Sequence, residues 1–253
     1  MIVTENITKR FNEILAVDRV NLHVKAGEVL ALLGPNGAGK TTTIKMLAGV
    51  LRPTSGRIFI DGLDLHTHAM EIKQRVGFIP DRPFLYERLT GMEFMFFMAD
   101  LYGVNGPQRI ERIERLLELF ELAQWGRELV GSYSHGMKQR LIMSAALLHS
   151  PRVFIVDEPL VGLDPKGARL IKRIFKDLRS KNLTVFMSTH TLEVADELCD
   201  RIGIIQKGKL VAEGTVAELR KLAGRKDPNL ESIFLHLTGA EADSTEEIDF
   251  IQQ

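Results

Sequence analysis

A glycine-rich loop between an apolar run and a helix limits the fold of this chain more than any other feature. Residues 34–41 match the pattern G-x-x-x-x-G-K-[ST] at every fixed position. The apolar run Val29–Leu33 before the loop is typical of a buried parallel strand, and a helix is predicted to follow over Lys40–Val50. A strand, a tight loop and a helix in this order predict an α/β fold with a phosphate-binding loop.

The residue types of this loop suit a phosphate group. Glycines allow the backbone to turn its N–H groups toward an anion, and the start of the helix adds a partial positive charge. Lys40 is expected to reach the β- and γ-phosphates of a nucleotide, and the hydroxyl of Thr41 is expected to bind Mg²⁺. The alternative is a glycine-rich turn that only begins an ordinary helix.

A second predicted strand ends in two carboxylates. The apolar run Val153–Val156 is followed by Asp157 and Glu158, and the carboxyl end of a parallel strand lies at the ligand-binding edge of such a sheet. Asp157 is expected to hold Mg²⁺ through water, and Glu158 is expected to polarise the water that attacks a phosphate. Alone, this pair also fits a solvated strand end. Together with the phosphate loop it indicates a nucleotide site.

A histidine follows a third apolar run. His190 comes shortly after the predicted strand Thr184–Ser188, so its imidazole is expected at the same edge of the sheet. There it could contact the γ-phosphate and hold the attacking water. A purely structural histidine is the alternative.

The patterns of strands and helices predict how the chain is organised. Strands dominate near the start, whereas about 85–150 contains three helical patterns, at Met92–Tyr102, Pro107–Leu122 and Met137–His149, without a convincing strand. Alternating strands and helices then return, so a helical block is predicted as an insertion in an α/β core. The predicted main domain covers residues 1–222.

The chain beyond this domain is predicted to contain little packed structure. Residues 223–238 are expected to form a linker, at Gly224–Pro228, and a short helix, at Leu230–Leu237. Residues 239–253 carry five acidic side chains without Lys or Arg, which predicts a disordered tail.

Composition narrows the classes of partner and compartment. Lys and Arg together number 33, as do Asp and Glu, so the formal net charge is zero and no global positive surplus attracts nucleic acid. The single Cys199 excludes an internal disulfide and a zinc site built from several cysteines. No apolar stretch reaches the roughly 18 residues that a membrane-spanning helix needs. A soluble, cytosolic protein is expected.

The order of the motifs resembles that of the ATP-binding-cassette (ABC) ATPases. The segment Tyr133-Ser134-His135-Gly136-Met137 stands after the helical insertion, at the place of the family's Leu-Ser-Gly-Gly-Gln signature. The acidic strand, the D-loop and the switch histidine follow in the family's order, at Asp157–Glu158, Val161–Asp164 and His190. The resemblance covers residues 1 to about 222.

This resemblance implies a fold, cofactors and a set of site residues. The implied fold has a mostly parallel, RecA-like sheet, an N-terminal antiparallel β subdomain and an inserted α-helical subdomain. The implied cofactors are ATP and Mg²⁺, and the implied activity is hydrolysis of ATP by Lys40, Glu158 and His190. The residues implied to hold Mg²⁺ are Thr41, Asp81 and Asp157. Those implied to contact ATP are Phe11, Gly34, Pro35, Asn36, Gly37, Ala38, Gly39, Lys40, Thr41, Thr42, Ser134, His135, Gly136 and Asp164. Phe11 is implied to stack on adenine, with a core aromatic as the alternative.

The family works as a head-to-tail dimer, which implies a second copy or a paralogue as partner. In that dimer the signature of one subunit contacts the γ-phosphate held by the other, so Ser134 and Gly136 are implied to donate hydrogen bonds to phosphate. Three positions depart from the family's pattern. His135 replaces the first signature glycine, Met137 replaces the signature glutamine, and Asp81 replaces the Q-loop glutamine. Hydrolysis is still expected, because Asp can bind Mg²⁺ and the catalytic residues are present. A weaker or differently gated dimer is the open alternative.

Shorter segments resemble the branch of the family that serves exporter-type (ABC-2-like) membrane subunits. They are Gly77–Pro80, Leu89–Glu93, Val161–Pro165 and Leu230–Thr238, and within that branch Tyr133–Arg140 and Arg82–Tyr86 look most like the Ecs-type ATPases of bacteria. This implies an integral membrane permease as partner and a peripheral position on the inner face of the cell membrane. The implied docking groove follows Asp81 and is lined by Met92–Met98. Most of these apolar side chains also fit simple packing of the helical block.

Other functions stay open at this point. A soluble ABC ATPase acting on ribosomes or DNA is one, although such proteins carry two cassettes or a long coiled coil and nucleic acid is not expected as a partner here. An ATP-dependent switch with little turnover is another, because of His135 and Asp81. A metabolic P-loop kinase would leave Ser134, Glu158 and His190 unexplained.

Overall fold

Two β-sheets form the framework of the molecule, and the computed structural model describes residues 1–82, 84–222 and 230–238. The strands are β1 (Ile2–Phe11), β2 (Ile14–Val24), β3 (Val29–Leu33), β4 (Ser55–Ile60), β5 (Leu63–Asp64), β6 (Val76–Ile79), β7 (Val153–Asp157), β8 (Thr184–Thr189), β9 (Arg201–Gln206) and β10 (Lys209–Gly214). The larger sheet has six strands in the order β10-β9-β3-β8-β7-β6. All its pairs are parallel except β10 with β9. The smaller sheet has the order β2-β1-β4-β5 and is antiparallel.

Helices cover the large sheet and form the predicted insertion. They are α1 (Lys40–Leu47), α2 (Ala69–Arg75), α3 (Gly91–Leu101), α4 (Arg109–Leu119), α5 (His135–Leu147), α6 (Pro165–Ser180), α7 (Leu192–Leu198), α8 (Val216–Leu222) and α9 (Leu230–Thr238). The three helices α3, α4 and α5 lie between β6 and β7 in the chain. The predicted fold class is therefore confirmed: a mostly parallel sheet, an antiparallel β subdomain and helices inserted between two strands of the core.

The apolar runs of the sequence become strands that are buried on both faces. Every residue of β3, β7 and β8 is buried, and successive side chains of a strand point to opposite faces. In β3, Leu30 and Leu32 pack with the antiparallel sheet and α1, whereas Ala31 and Leu33 pack with the helical side of the molecule. A continuous apolar run suits this arrangement, because both faces of the strand are covered.

Two predicted helices end three residues earlier than their patterns indicated. The helix after the phosphate loop ends at Leu47 and not at Val50, because Gly49 adopts a φ of 67°. The helix predicted over Pro107–Leu122 covers Arg109–Leu119, and Glu121 has a φ of 56° just beyond it. A left-handed residue of this kind ends a helix.

Several short elements had no clear signal in the sequence. In α2 only Ile72 is buried, and in α8 only Leu219 is buried, so neither helix shows an apolar stripe. The edge strand β10 contains Lys209 and Glu213 and is mostly half-exposed. The predicted linker and acidic tail lie outside the described residues, and α9 extends one residue beyond its prediction.

Within residues 1–82, 84–222 and 230–238, no helix has both the length and the apolar character that spanning a bilayer requires.

Candidate nucleotide-binding site

Three neighbouring strands bring the predicted catalytic side chains to one edge of the large sheet. Lys40 follows β3 through the phosphate loop, Glu158 follows β7 and His190 follows β8. A cavity of about 310 Å³ lies at this edge. Its lining residues are Ala16, Pro35, Asn36, Gly37, Gly39, Lys40, Thr41, Thr42, Asp81, Glu158, Val161 and His190. The loop, the acidic strand end and the histidine therefore share one site.

Glycine is required at two positions of the phosphate loop for steric reasons. A Cβ on Gly34 would lie 2.4 Å from the carbonyl oxygen of Ile205. Gly39 has a φ of 105°, and a Cβ there would lie 2.6 Å from the carbonyl oxygen of Ala16. The loop thus passes close to both sheets, which fixes its backbone around the cavity.

The ammonium of Lys40 is held inside the loop. Its Nζ donates hydrogen bonds to the carbonyl oxygens of Gly34 at 2.7 Å and Pro35 at 3.2 Å. It also lies 3.6 Å from Oε1 of Glu158. These oxygens replace the water that the buried charge has lost, and they hold the ammonium at the cavity, where an anionic group can become its partner.

Glu158 lies between two basic groups. Its Oε2 is 3.0 Å from Nδ1 of His190, and its backbone N–H donates to Oγ of Ser188 at 3.1 Å. Glu158 also has a φ of 52°, a conformation that residues other than glycine rarely adopt. Backbone strain of this kind is common at functional sites. The carboxylate is oriented toward the cavity and can accept a proton there.

Asp157 is a buried carboxylate among other acidic groups. Burial raises the pKa of its carboxyl, hydrogen bonds from Ser188 and Thr41 act in the opposite direction, and the nearby carboxylates of Asp81 and Glu158 raise the pKa again. Ser188 is also buried, and sequence reasoning missed its role. The available signal was a hydroxyl directly after the three apolar residues Val185–Met187, near the carboxyl end of the strand.

These oxygen ligands fit Mg²⁺. The hydroxyl of Thr41 and the carboxylates of Asp157 and Asp81 are hard oxygen donors, and a divalent cation would relieve the repulsion that raises the pKa of Asp157. Over the ranges that the structure describes, no group of three or more His, Cys, Asp and Glu side chains forms a closed metal site. Mg²⁺ that is shared with nucleotide phosphates needs only one or two carboxylates from the protein.

Replacing Asp157 by Asn is expected to stabilise the nucleotide-free protein. The amide keeps an oxygen for the Ser188 hydroxyl but removes the buried charge, and the free energy of unfolding at neutral pH should rise by about 0.5–2 kcal/mol. Because burial raises the pKa of this carboxyl, the wild-type side chain becomes neutral as the pH falls, and the advantage of the variant should disappear in acid. Urea unfolding at a series of pH values measures this.

A matched control for this substitution is Asp64→Asn. Arg57 lowers the pKa of the Asp64 carboxyl, so its replacement should give no stabilisation at any pH. If Asp157→Asn lowered the free energy of unfolding, the buried charge of Asp157 would not be destabilising, contrary to this prediction.

The signature and D-loop residues lie elsewhere on the same subunit. Ser134 caps α5 by accepting a hydrogen bond from the N–H of Met137 at 3.3 Å. Asp164 caps α6 by accepting one from the N–H of Gly167 at 2.9 Å. The described residues that line the cavity do not include Ser134, His135, Gly136 or Asp164. A single subunit therefore brings the loop, the carboxylates and His190 together, and leaves these four residues exposed or half-exposed outside.

Phe11 lies at the end of the hairpin that joins β1 and β2. Its side chain is 45% exposed and its ring centroid is 5.0 Å from Nζ of Lys9, so the alternative of a core aromatic is wrong. Phe11 does not line the cavity, but Ala16 from the same hairpin does. Sequence reasoning missed Ala16, whose small apolar side chain gave no signal.

Comparisons with known proteins identify the family. The model of the ABC transporter domain matches residues 17–161, which is more than half of the chain. The chain is 40% identical over 222 residues to the bacitracin transport ATP-binding protein BcrA of Bacillus licheniformis, an alignment that covers 87% of this chain and 72% of the relative. It is 37% identical over 219 residues to the linearmycin resistance ATP-binding protein LnrL of Bacillus subtilis, with 87% and 70% covered. These relatives fit the exporter-type branch, while the Ecs-type resemblance stays a prediction.

Solved structures give the same result for the fold and the chemistry. An ATP-binding subunit of an ABC transporter superposes with a TM-score of 0.88 at 31% identity, covering 94% of this chain and 99% of that chain. A dimeric ATP-binding cassette in a post-hydrolysis state with ADP and Pi gives a TM-score of 0.78 at 28% identity, covering 85% and 98%. The sequence match, the shared fold and the arrangement of the cavity agree: the chain belongs to the ABC transporter family and is an ATPase of the ATP-binding-subunit type.

Proposed function

We propose that this protein powers a membrane exporter by hydrolysing ATP between two head-to-tail subunits at the inner face of the cell membrane. One observation carries the proposal. Lys40, Glu158 and His190, to which we assign hydrolysis, line the cavity, whereas the signature residues of the same subunit lie exposed or half-exposed outside it. A site that needs both sets therefore needs two subunits.

Within one subunit, the chain's own residues divide the work. The N–H groups of the phosphate loop and the ammonium of Lys40 bind the β- and γ-phosphates. Glu158 accepts the proton of the attacking water, and His190, whose Nδ1 is 3.0 Å from the Glu158 carboxylate, orients that carboxylate. Thr41, Asp157 and Asp81 would hold Mg²⁺, which when bound neutralises phosphate charge. Phe11, exposed at the hairpin end, would stack on adenine.

The second subunit supplies the signature. The hydroxyl of Ser134 and the backbone N–H of Gly136 stand at the start of α5, where a phosphate oxygen is a favourable partner. ATP would thus close the dimer by joining the loop of one subunit to α5 of the other, and hydrolysis would release it.

An exposed aromatic patch supports a membrane subunit as the further partner. The patch consists of Phe84, Tyr86 and Phe97, which are 80%, 48% and 39% exposed. Their ring centroids are 5.6 Å apart for Phe84 and Tyr86 and 5.1 Å apart for Tyr86 and Phe97. Contiguous apolar surface of this kind marks an interaction site. Phe84 and Tyr86 follow Asp81, which lines the cavity, by three and five residues, so a partner seated on them is close in the chain to the nucleotide site.

Replacing Phe84 and Phe97 together by Ser is expected to release the protein from its membrane partner. Tagged wild-type protein from gently solubilised membranes should carry a multi-span membrane protein, identified by mass spectrometry. The double variant should lose most of it, about ten-fold, because central aromatic anchors dominate interface energies. Its basal ATPase activity should be unchanged.

The control for this experiment is Met70→Ser, because Met70 is 75% exposed on α2, outside the patch. Equal recovery of the membrane protein with all three proteins would contradict the docking role of the patch. Ribosomal or DNA-associated proteins in place of a membrane protein would favour the soluble alternative.

A further inference from the structure

The side chain of His135, the first residue of α5, lies against Gly162 in the segment between β7 and α6. A Cβ on Gly162 would lie 2.6 Å from Cδ2 and 2.7 Å from Nε2 of His135. The edge of the imidazole therefore occupies the space that a side chain at position 162 would fill. A second contact joins the same elements, since a Cβ on Gly136 would lie 3.4 Å from Cδ2 of Leu163.

The segment that His135 touches is compact and reaches the nucleotide cavity. We call residues 158–164 the connecting loop. The N–H of Val161 donates to the carbonyl of Glu158 at 3.3 Å, and the N–H of Leu163 donates to that of Leu160 at 3.3 Å. Glu158 and Val161 both line the cavity. The imidazole thus rests one residue away from the cavity wall, on a segment that begins with the proton acceptor.

The contact between His135 and Gly162 is one of packing. Neither a hydrogen bond nor an ion pair involves the His135 side chain within the part of the chain that the structure describes. Both residues are exposed, so the ring edge and the glycine backbone meet by shape at the surface, beside the approach of Leu163 to Gly136 that joins the same two elements.

We propose that His135 is a positioning residue that couples the start of α5 to Glu158 through Gly162. This inference deepens the proposed function, because the start of α5 is the surface proposed to close on the partner's nucleotide. Closure that displaces His135 displaces the connecting loop, so hydrolysis in one site depends on engagement at the other. A glycine at position 135 has no side chain that could make this contact.

A double-mutant cycle on positions 135 and 162 tests the proposal. Gly162→Ala in the wild-type background is expected to lower kcat for ATP about ten-fold, with KM for ATP within about two-fold. In the His135→Gly background the same change should lower kcat by about two-fold or less, because the space for a Cβ is then open. His135→Phe keeps a flat ring and should preserve the large effect of Gly162→Ala.

The matched control is Gly62→Ala. Gly62 has a φ of 78°, close to the 75° of Gly162, but a Cβ there meets no atom within 4 Å. Gly62→Ala therefore has the same cost of placing Ala in a left-handed conformation, but without a clash between the added Cβ and another residue. Its thermal unfolding should resemble that of Gly162→Ala, whereas its kcat should be that of wild type.

A second readout needs no nucleotide. In the NMR spectrum, the Cδ2–H resonance of the His135 imidazole is assigned by its loss in His135→Gly. This resonance is expected to shift in Gly162→Ala and to stay in place in Gly62→Ala. The proposal would be overturned if Gly162→Ala lowered kcat by the same factor in the wild-type and His135→Gly backgrounds. A His135 resonance that does not move in Gly162→Ala would also overturn it. Coupling seen with His but not with Phe at position 135 would also overturn it, since the contact would then depend on a proton. Absence of ATP-dependent dimers in the wild type would instead count against the proposed function, and the imidazole signal would still decide whether the contact exists.

Discussion

Replacing Glu158 by Gln is expected to lower the turnover of ATP by about 10²–10⁴-fold, the usual contribution of a general base. The amide has nearly the same size as the carboxylate, so the cavity keeps its shape, but it cannot accept a proton from water. Lys40 and the phosphate loop are untouched, so ATP still binds. Single-turnover hydrolysis with radiolabelled ATP measures the loss.

The same variant should also trap the dimer. If ATP closes two subunits and hydrolysis opens them, a protein that binds but does not hydrolyse accumulates in the closed state, and size-exclusion chromatography with ATP should show a persistent dimer. Glu193→Gln, at an exposed position in the first turn of α7, is the control and should behave as wild type. Turnover that falls by less than about ten-fold in Glu158→Gln would remove Glu158 from the role of general base. Negligible single turnover in the wild type would favour the ATP-dependent switch.

Local signals in the sequence were sufficient for the framework of the site. The runs Val29–Leu33 and Val153–Val156 are continuously apolar because their strands are buried on both faces, and such strands are recognisable without knowing their neighbours. The polar residues that follow them had to reach the carboxyl edge of the sheet. Lys40, Glu158 and His190 therefore meet in one cavity, as the sequence predicted.

The remaining features depend on contacts between distant parts of the chain. Ala16 reaches the cavity because the hairpin of β1 and β2 passes beside the phosphate loop, and no local pattern records that approach. The hydroxyl of Ser188 donates a hydrogen bond to the carboxylate of Asp157 across two neighbouring strands. The contact of His135 with Gly162 likewise joins positions that only the fold brings together. Edge elements such as β10 were missed because half-exposed polar strands have weak periodicity.

Replacing Lys40 by Ala is expected to abolish ATP-dependent dimerisation, which is the opposite of the result expected for Glu158→Gln. The ammonium is the one side-chain cation that the phosphate loop itself directs at the cavity, through the carbonyls of Gly34 and Pro35. Hydrogen bonds to charged groups contribute about 1.5–3 kcal/mol each, so ATP affinity should fall by at least about ten-fold. Titration calorimetry with ATP measures the affinity directly.

The two variants together separate binding from chemistry. Lys40→Ala should bind ATP weakly and stay monomeric, whereas Glu158→Gln should bind ATP and stay dimeric, although each lacks turnover. Lys45→Ala, an exposed lysine in the last turn of α1, controls for loss of a positive charge from the same helix and should retain both activities. If Lys40→Ala and Glu158→Gln gave the same oligomeric state with ATP, the division of roles between loop and carboxylate would be wrong. ATP hydrolysis would then have to be explained without opening and closing of a dimer, because that cycle requires ATP binding to close the dimer and proton transfer to Glu158 to reopen it.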